Sequence, residues 1–357
     1  MCCRHSSQRQ RGAALIVALL VFAIAAALLV GLQREFTLHM QRGSNYLTAE
    51  QGWSYLLGAE SLGVVALRLD AESDTRSPAQ QDHLGELWAG EAQPYPLAEG
   101  GWLLGQLEDL QGRFNINLLV DQKQSDGESA GEGSEVQPAE RNLGLDAADT
   151  RYSEQQKSFV RLLGALDGIE ISPQEAISIM EAIADYIDED VQRRAQGAED
   201  GDYRNTNPSY RTSGRPLASV SELRSVAGIT PEIYSALAPY ITVWPQEGGT
   251  INVLTAPAAV LRSLNTEDSL EPLSTEEGQR LVEARAAGAI TSVDDLLSDI
   301  AFASGDGEQL RSLLAERSDW FLLTARVEIA DREMRLYSVL ERDGQEILAR
   351  YRSTGEL

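Results

Sequence analysis

Glu181, Asp185 and Asp188 follow one another at steps of four and three, the spacing that lines three carboxylates along one face of a helix. Asp188-Glu189-Asp190 then close that helix with a run of negative charge at the negative end of its macrodipole, which costs roughly 0.3 to 1 kcal/mol per exposed carboxylate. Something positive has to compensate. The next stretch, Gln196 to Pro208, has no hydrophobic period; Glu199, Asp200, Asp202 and Asn205 sit in it between glycines, without His or Cys. Carboxylate and amide oxygens of this kind suit a hard cation such as Ca²⁺ and do not suit Zn²⁺. The candidate ligands are Asp188, Asp190, Glu199, Asp200, Asp202 and Asn205, although their spacing is not that of an EF-hand. A solvated acidic loop, partly neutralised by Arg193, Arg194 and Arg204, is the other reading of the same residues.

Elsewhere the chain offers little chemistry. Its histidines beyond the N-terminal dozen residues are His39 and His83, and there is no HExxH, GxSxG, P-loop or GxGxxG. No catalytic residue can be nominated, so no enzyme is expected. Arg332 and Arg335 read as solvated strand residues. Ser219-Val220-Ser221-Glu222-Leu223 is echoed at Ser292-Val293-Asp294-Asp295-Leu296, and Ile251 to Pro257 opens a helix in the manner of a helix-hairpin-helix module. Such modules grip phosphates through backbone amides flanked by basic residues. Here Pro231 removes a donor from the first hairpin, the chain holds two Lys, and its formal net charge is −25. A surface of that sign repels nucleic acid, and the echo is read as shared helical architecture for protein contacts.

The elements that must position the acidic loop follow from periodicity. Ser172-Pro173-Gln174-Glu175 combines an N-cap, Pro at the first helical position and a capping-box Glu; Ile177, Met180, Ile183, Ala184 and Ile187 supply the apolar face behind it. Further helices are predicted over Ser219 to Leu237, Ala256 to Leu264, Thr275 to Ala287, Ser292 to Ile300 and Glu308 to Arg317, making residues 151–318 an almost wholly helical block. Strands are predicted over Trp102 to Glu108, Arg113 to Val120, Phe321 to Ile329, Glu333 to Arg342 and Gln345 to Arg352, with Asp343-Gly344 as a hairpin turn. The late strands need the early ones as partners, so the helical block is an insertion within one α/β domain. Residues 122–150, rich in Gly, Ser, Glu and Asp, read as a flexible linker.

At the N-terminus, Gln10-Arg11-Gly12 precedes twenty uncharged, mostly apolar residues, Ala13 to Leu32, enough helix to cross a bilayer once. Arg4, Arg9 and Arg11 on the near side place that end in the cytoplasm and the bulk of the chain beyond the membrane. Tyr46, Ala49, Trp53, Leu56, Val64 and Leu67 continue a helical period to about Leu69, an amphipathic stalk over residues 33–72. A small residue and basic cluster ahead of the apolar run, rather than a cleavage site behind it, resembles the leader of type IV pilins and type II secretion pseudopilins. An uncleaved signal anchor is the plain alternative.

That resemblance implies a prepilin peptidase cut between Gly12 and Ala13 and methylation of the new N-terminus. The remaining chain would carry 27 Lys and Arg against 55 Asp and Glu, a net charge of −28, and no cysteine, since Cys2 and Cys3 lie in the leader. Pilins commonly carry Glu at the fifth mature position; this chain has Val17. Stalk, sheet and large helical insert together resemble the minor pseudopilin K of type II secretion over nearly the whole chain. The resemblance implies an α+β fold: a pilin-like helix on an antiparallel sheet, with an all-α insertion of helix-hairpin-helix/SAM-like character. Its expected segments are a leader 1–12, membrane helix 13–32, stalk 33–72, first domain part 73–121, linker 122–150, insertion 151–318 and closing strands 319–357. It further implies a single-pass inner-membrane protein with a periplasmic body, Ca²⁺ in the acidic segment, and the I and J minor pseudopilins as partners at a pseudopilus tip. A minor pilin of a type IV pilus or DNA-uptake machine is the alternative.

Overall fold

The computed structural model describes residues 13–75, 80–98, 100–120, 151–266, 269–303 and 307–355. Residues 1–12 and the predicted linker 122–150 lie outside them. Helix α1 runs unbroken from Ala13 to Asp74. Its apolar first part, of mean hydropathy 3.1 over eighteen residues, packs against nothing. Only from Gly52 does one stripe become buried: Gly52, Leu56, Ala59, Glu60, Gly63, Leu67 and Ala71, at helical spacing. Tyr46 and Ala49, expected on that stripe, are exposed because the sheet does not reach them. Gly63 lets the helix lie close, since a Cβ there would sit 3.2 Å from Leu323 Cδ1.

The stripe rests on a five-stranded antiparallel sheet. In spatial order its strands are β1 (Tyr95–Pro96), β2 (Trp102–Asp109), β7 (Trp320–Ile329), β8 (Arg332–Asp343) and β9 (Glu346–Ser353). Strict alternation in β7 sends Phe321, Leu323, Ala325, Val327 and Ile329 into the core shared with Leu56 and Leu67. β2 and β7 pair from Trp102 opposite Glu328 to Asp109 opposite Phe321, so the early and late strands do meet across the intervening chain. The β8–β9 turn is Gly344-Gln345, one residue later than predicted, with Asp343 paired to Glu346 and Gly344 at φ 62°.

The predicted strand Arg113 to Val120 is not part of this sheet. Phe114–Asn115 (β3) pairs in parallel with Ile241–Thr242 (β4), and Ile116–Leu119 is a 3₁₀ turn. Phe114, Ile116 and Leu119 are buried in the helical block's core, so that block begins soon after β2 ends. The side chains of Asn115 and Asn117 fasten the segment there, donating to Pro245 O at 2.6 Å and to Val243 O at 3.0 Å.

The block contains α2 (Glu154–Gly164), α3 (Pro173–Ile187), α4 (Asp200–Tyr203), α5 (Pro231–Leu237), α6 (Ala258–Ser263), α7 (Thr275–Ala286), α8 (Val293–Leu297) and α9 (Glu308–Arg311). Three predicted helices are broken. Ser292 to Ile300 ends at Leu297, and the extended Asp299 then caps a 3₁₀ turn over Ile300–Phe302. Ser219 to Leu237 divides at Gly228, whose φ of +84° no α-helix accommodates. Glu308 to Arg317 stops at Arg311, and Leu314–Ala315 (β6) instead pairs with Ile251–Asn252 (β5). Where the block leaves and rejoins the sheet, Leu110 N donates to Trp320 O at 3.0 Å. Beside that point the buried Asp109 carboxylate accepts from Asn252, Thr255 and Ser318, tying sheet to block.

Candidate metal centre and family

The Ser172 hydroxyl caps α3 by accepting from Glu175 N at 3.3 Å, and α3 then runs to Ile187 with Asp188 as its C-cap. The apolar face predicted for it is buried throughout. The acidic face is buried as well, so the cost of an exposed carboxylate does not describe it. Glu181 and Asp185 are 1% and 0% exposed because the loop after α3 folds back over them. Glu181 accepts from Gln196 N at 2.5 Å, from Tyr152 Oη at 2.9 Å and from Arg151 at 3.1 Å. Arg194 bridges Asp185 and Asp188 at 2.5 Å each. This guanidinium is the positive partner the helix end requires. Gly197 is essential to the fold-back, since a Cβ there would overlap the Asp185 carboxylate.

Of the six candidate ligands the structure gathers three. Asp188, Asp190 and Glu199 each present a carboxylate oxygen, all within 4.8 Å of one another. Asp188 Oδ1 and Glu199 Oε1 are buried and accept no hydrogen bond, an arrangement that is expensive unless something positive fills it. Burial, foremost, raises the pKa of both groups. Asp200, Asp202 and Asn205 are otherwise engaged. Asp200 accepts from Thr212 N at 3.0 Å and from Arg204 at 2.7 Å; Asp202 Oδ2 accepts from Glu199 N at 3.1 Å; Asn205 donates to Gly201 O at 2.9 Å. Glu199 and Asp202 are N-cap and third residue of α4, a three-residue capping spacing visible in the sequence.

A second carboxylate group was not anticipated. Asp70 and Asp74 at the end of α1 meet Asp82 and Glu86 around Arg342, whose side chain is fully buried. Arg342 reaches Asp70 and Asp82 at 2.8 Å each and Asp74 at 4.0 Å, and lies over the Phe321 ring at 4.8 Å. A guanidinium already occupies the middle of this nest. Its role is to join the helix end, the following loop and the sheet.

The family model for type II secretion system protein K matches residues 112–246, and a second model of the same description matches 251–317. A Pseudomonas aeruginosa type II secretion system protein K is 30% identical over 98% of this chain and 94% of its own length; one from Klebsiella pneumoniae is 31% identical over 95% and 94%. This chain belongs to the type II secretion system protein K family. Protein K is a minor pseudopilin, a component of a secretion machine rather than a member of an enzyme family. The fold agrees: the GspK–GspI–GspJ complex of enterotoxigenic Escherichia coli contains a chain matched with a TM-score of 0.68 at 23% identity, over 88% of this chain and all of that one. Among the described residues this chain carries one helix, at its N-terminal end, long and apolar enough to span a membrane, as a single-pass anchored pseudopilin requires.

Proposed function

We propose that this chain caps the tip of the pseudopilus and helps to start its assembly with the I and J minor pseudopilins. The observation that carries the proposal is the block of chain between β2 and β7, set between adjacent strands of a pilin-like head. Pilin helices stack with short axial steps, so a head of this size would clash with a subunit placed above it. Only the uppermost position leaves it room. Val17 fits the same position, because a subunit with nothing above it has no neighbour to recruit with a Glu. The presence of I and J beside the K relative in the solved complex supports them as the companions.

Residues 13–32 anchor the chain in the bacterial inner membrane, with the Arg-rich end cytoplasmic and the body periplasmic. Prepilin peptidase releases residues 1–12 at Gly12, and Ala13 becomes a methylated N-terminus. Ca²⁺ is held by Asp188, Asp190 and Glu199, where the two orphaned oxygens fit a cation; its task is to fix the loop after α3. The helix-hairpin-helix/SAM-like elements around Ser219 and Ser292 serve protein contacts. Pseudopili sheared from cells that carry an epitope-tagged chain should bind immunogold at one end only, and the tagged chain's intact mass should begin at Ala13. Gold repeated along the shaft at the density of the major subunit would sink the tip reading, and a mass retaining residues 1–12 the processing.

A further inference from the structure

Between the C-terminal turn of α7 and the loop at residues 81–85 lies a pocket of about 480 Å³, inside the range of about 300 to 1,000 Å³ usual for ligand sites. Leu254, Val282 and Ile290 line it, and Leu84 stands half exposed at its edge. One full cation faces this apolar space. Arg285 donates from Nη1 alone, to Val253 O at 2.9 Å and Ala256 O at 2.7 Å, which leaves its Nε and Nη2 hydrogens for the pocket. Among the described residues it has no carboxylate partner, whereas Arg280, one turn earlier on the same helix, pairs with Asp299 at 2.7 Å. Burial alone lowers the pKa of Arg285, with no acid near enough to oppose it.

The two carbonyls belong to the segment that leads into α6, and holding them uses only one of Arg285's three nitrogens. Gly85 and Gly288 are also on the lining, and a Cβ at Gly288 would meet only open space, so a backbone can approach there. His83, 52% exposed and 3.8 Å from Glu86, is the other titratable side chain on the wall. We infer that this pocket takes the C-terminal residue of a partner polypeptide, with an apolar side chain against Leu254, Val282 and Ile290 and the terminal carboxylate on the free edge of Arg285. Charge complementarity decides the occupant: the paired N–H groups of a guanidinium match a carboxylate, and such bonds are the stronger kind.

The test uses the full chain in lipid nanodiscs, titrated by calorimetry with acetyl-Ala-Ala-Leu bearing a free carboxylate, with its C-terminal amide, and with octanoate. The free acid should bind at least about tenfold more tightly than the amide. Arg285→Gln should erase that difference. Ala286→Phe, an exposed position at the pocket wall, should abolish binding with the melting curve unchanged, which keeps the test valid if Arg285→Gln disturbs folding. Equal binding of acid and amide, octanoate binding as tightly as the peptide, or no binding of any probe would each overturn the assignment.

Discussion

Replacing Arg342 with Met should lower the stability of the folded body beyond the apolar part of α1 by about 3 to 5 kcal/mol at pH 8, because it strands buried carboxylates that share one counter-ion. Asp82 is fully buried and Asp74 is 8% exposed, so neither can turn to water for compensation. The pH dependence makes the prediction specific. Asp70 is pushed up to about 7, by burial first and then by the neighbouring Glu86, and Asp74 and Glu86 are raised as well, again by burial first. A carboxyl whose folded pKa lies above its unfolded value of roughly 4 binds its proton more tightly in the folded state. Stability therefore rises as pH falls through about 7 towards 4, and does so more steeply without Arg342. Melting curves at pH 8 and pH 5 should show a large deficit that shrinks in acid. A variant that melts with the wild type at pH 8, or whose deficit is the same at both pH values, would contradict this account of the nest.

Chelation should have the next largest effect. A ligand bound only by the folded state stabilises by RT ln(1 + [L]/Kd), about 2.7 kcal/mol at a hundredfold excess over Kd. The protein in Ca²⁺ should thus melt several degrees above the same protein in chelator, and the double variant Asp188→Asn, Glu199→Gln should lose the difference. Asp200→Asn should keep it, because Asp200 is engaged by Thr212 and Arg204 away from the three gathered carboxylates. Identical melting with and without chelator would remove Ca²⁺ from this loop.

Local signals in the sequence carried much of this fold. The Ser172-Pro173 start of α3, the alternation of β7 and the apolar run of α1 each follow from neighbours a few residues apart, and each forms as predicted. Arg113 to Val120 shows what local signals omit. Its apolar residues suit a strand or a buried turn equally, and the choice is made by Pro245 O and Val243 O, more than a hundred residues away. The candidate site divides in the same way. An acidic segment after α3 was legible, but the burial of Glu181 and Asp185 depends on Arg151, Tyr152 and Arg194 folding onto them. The nest around Arg342 was invisible for that reason too: its members come from the end of α1, the loop after it and β8.

If the block between β2 and β7 confines this chain to the tip by leaving no room for a subunit above, removing the block should free it. Leu110 and Trp320 are hydrogen-bonded neighbours, so residues 112–317 can be excised and the two strands rejoined by a short glycine turn. Val17→Glu added to the excised chain restores the carboxylate that shaft subunits use. The direct measurement is the position of immunogold on pseudopili containing this tagged variant. The account predicts gold at many places along the shaft; gold confined to one end, as expected of the intact chain, would show that neither the block nor Val17 sets the position.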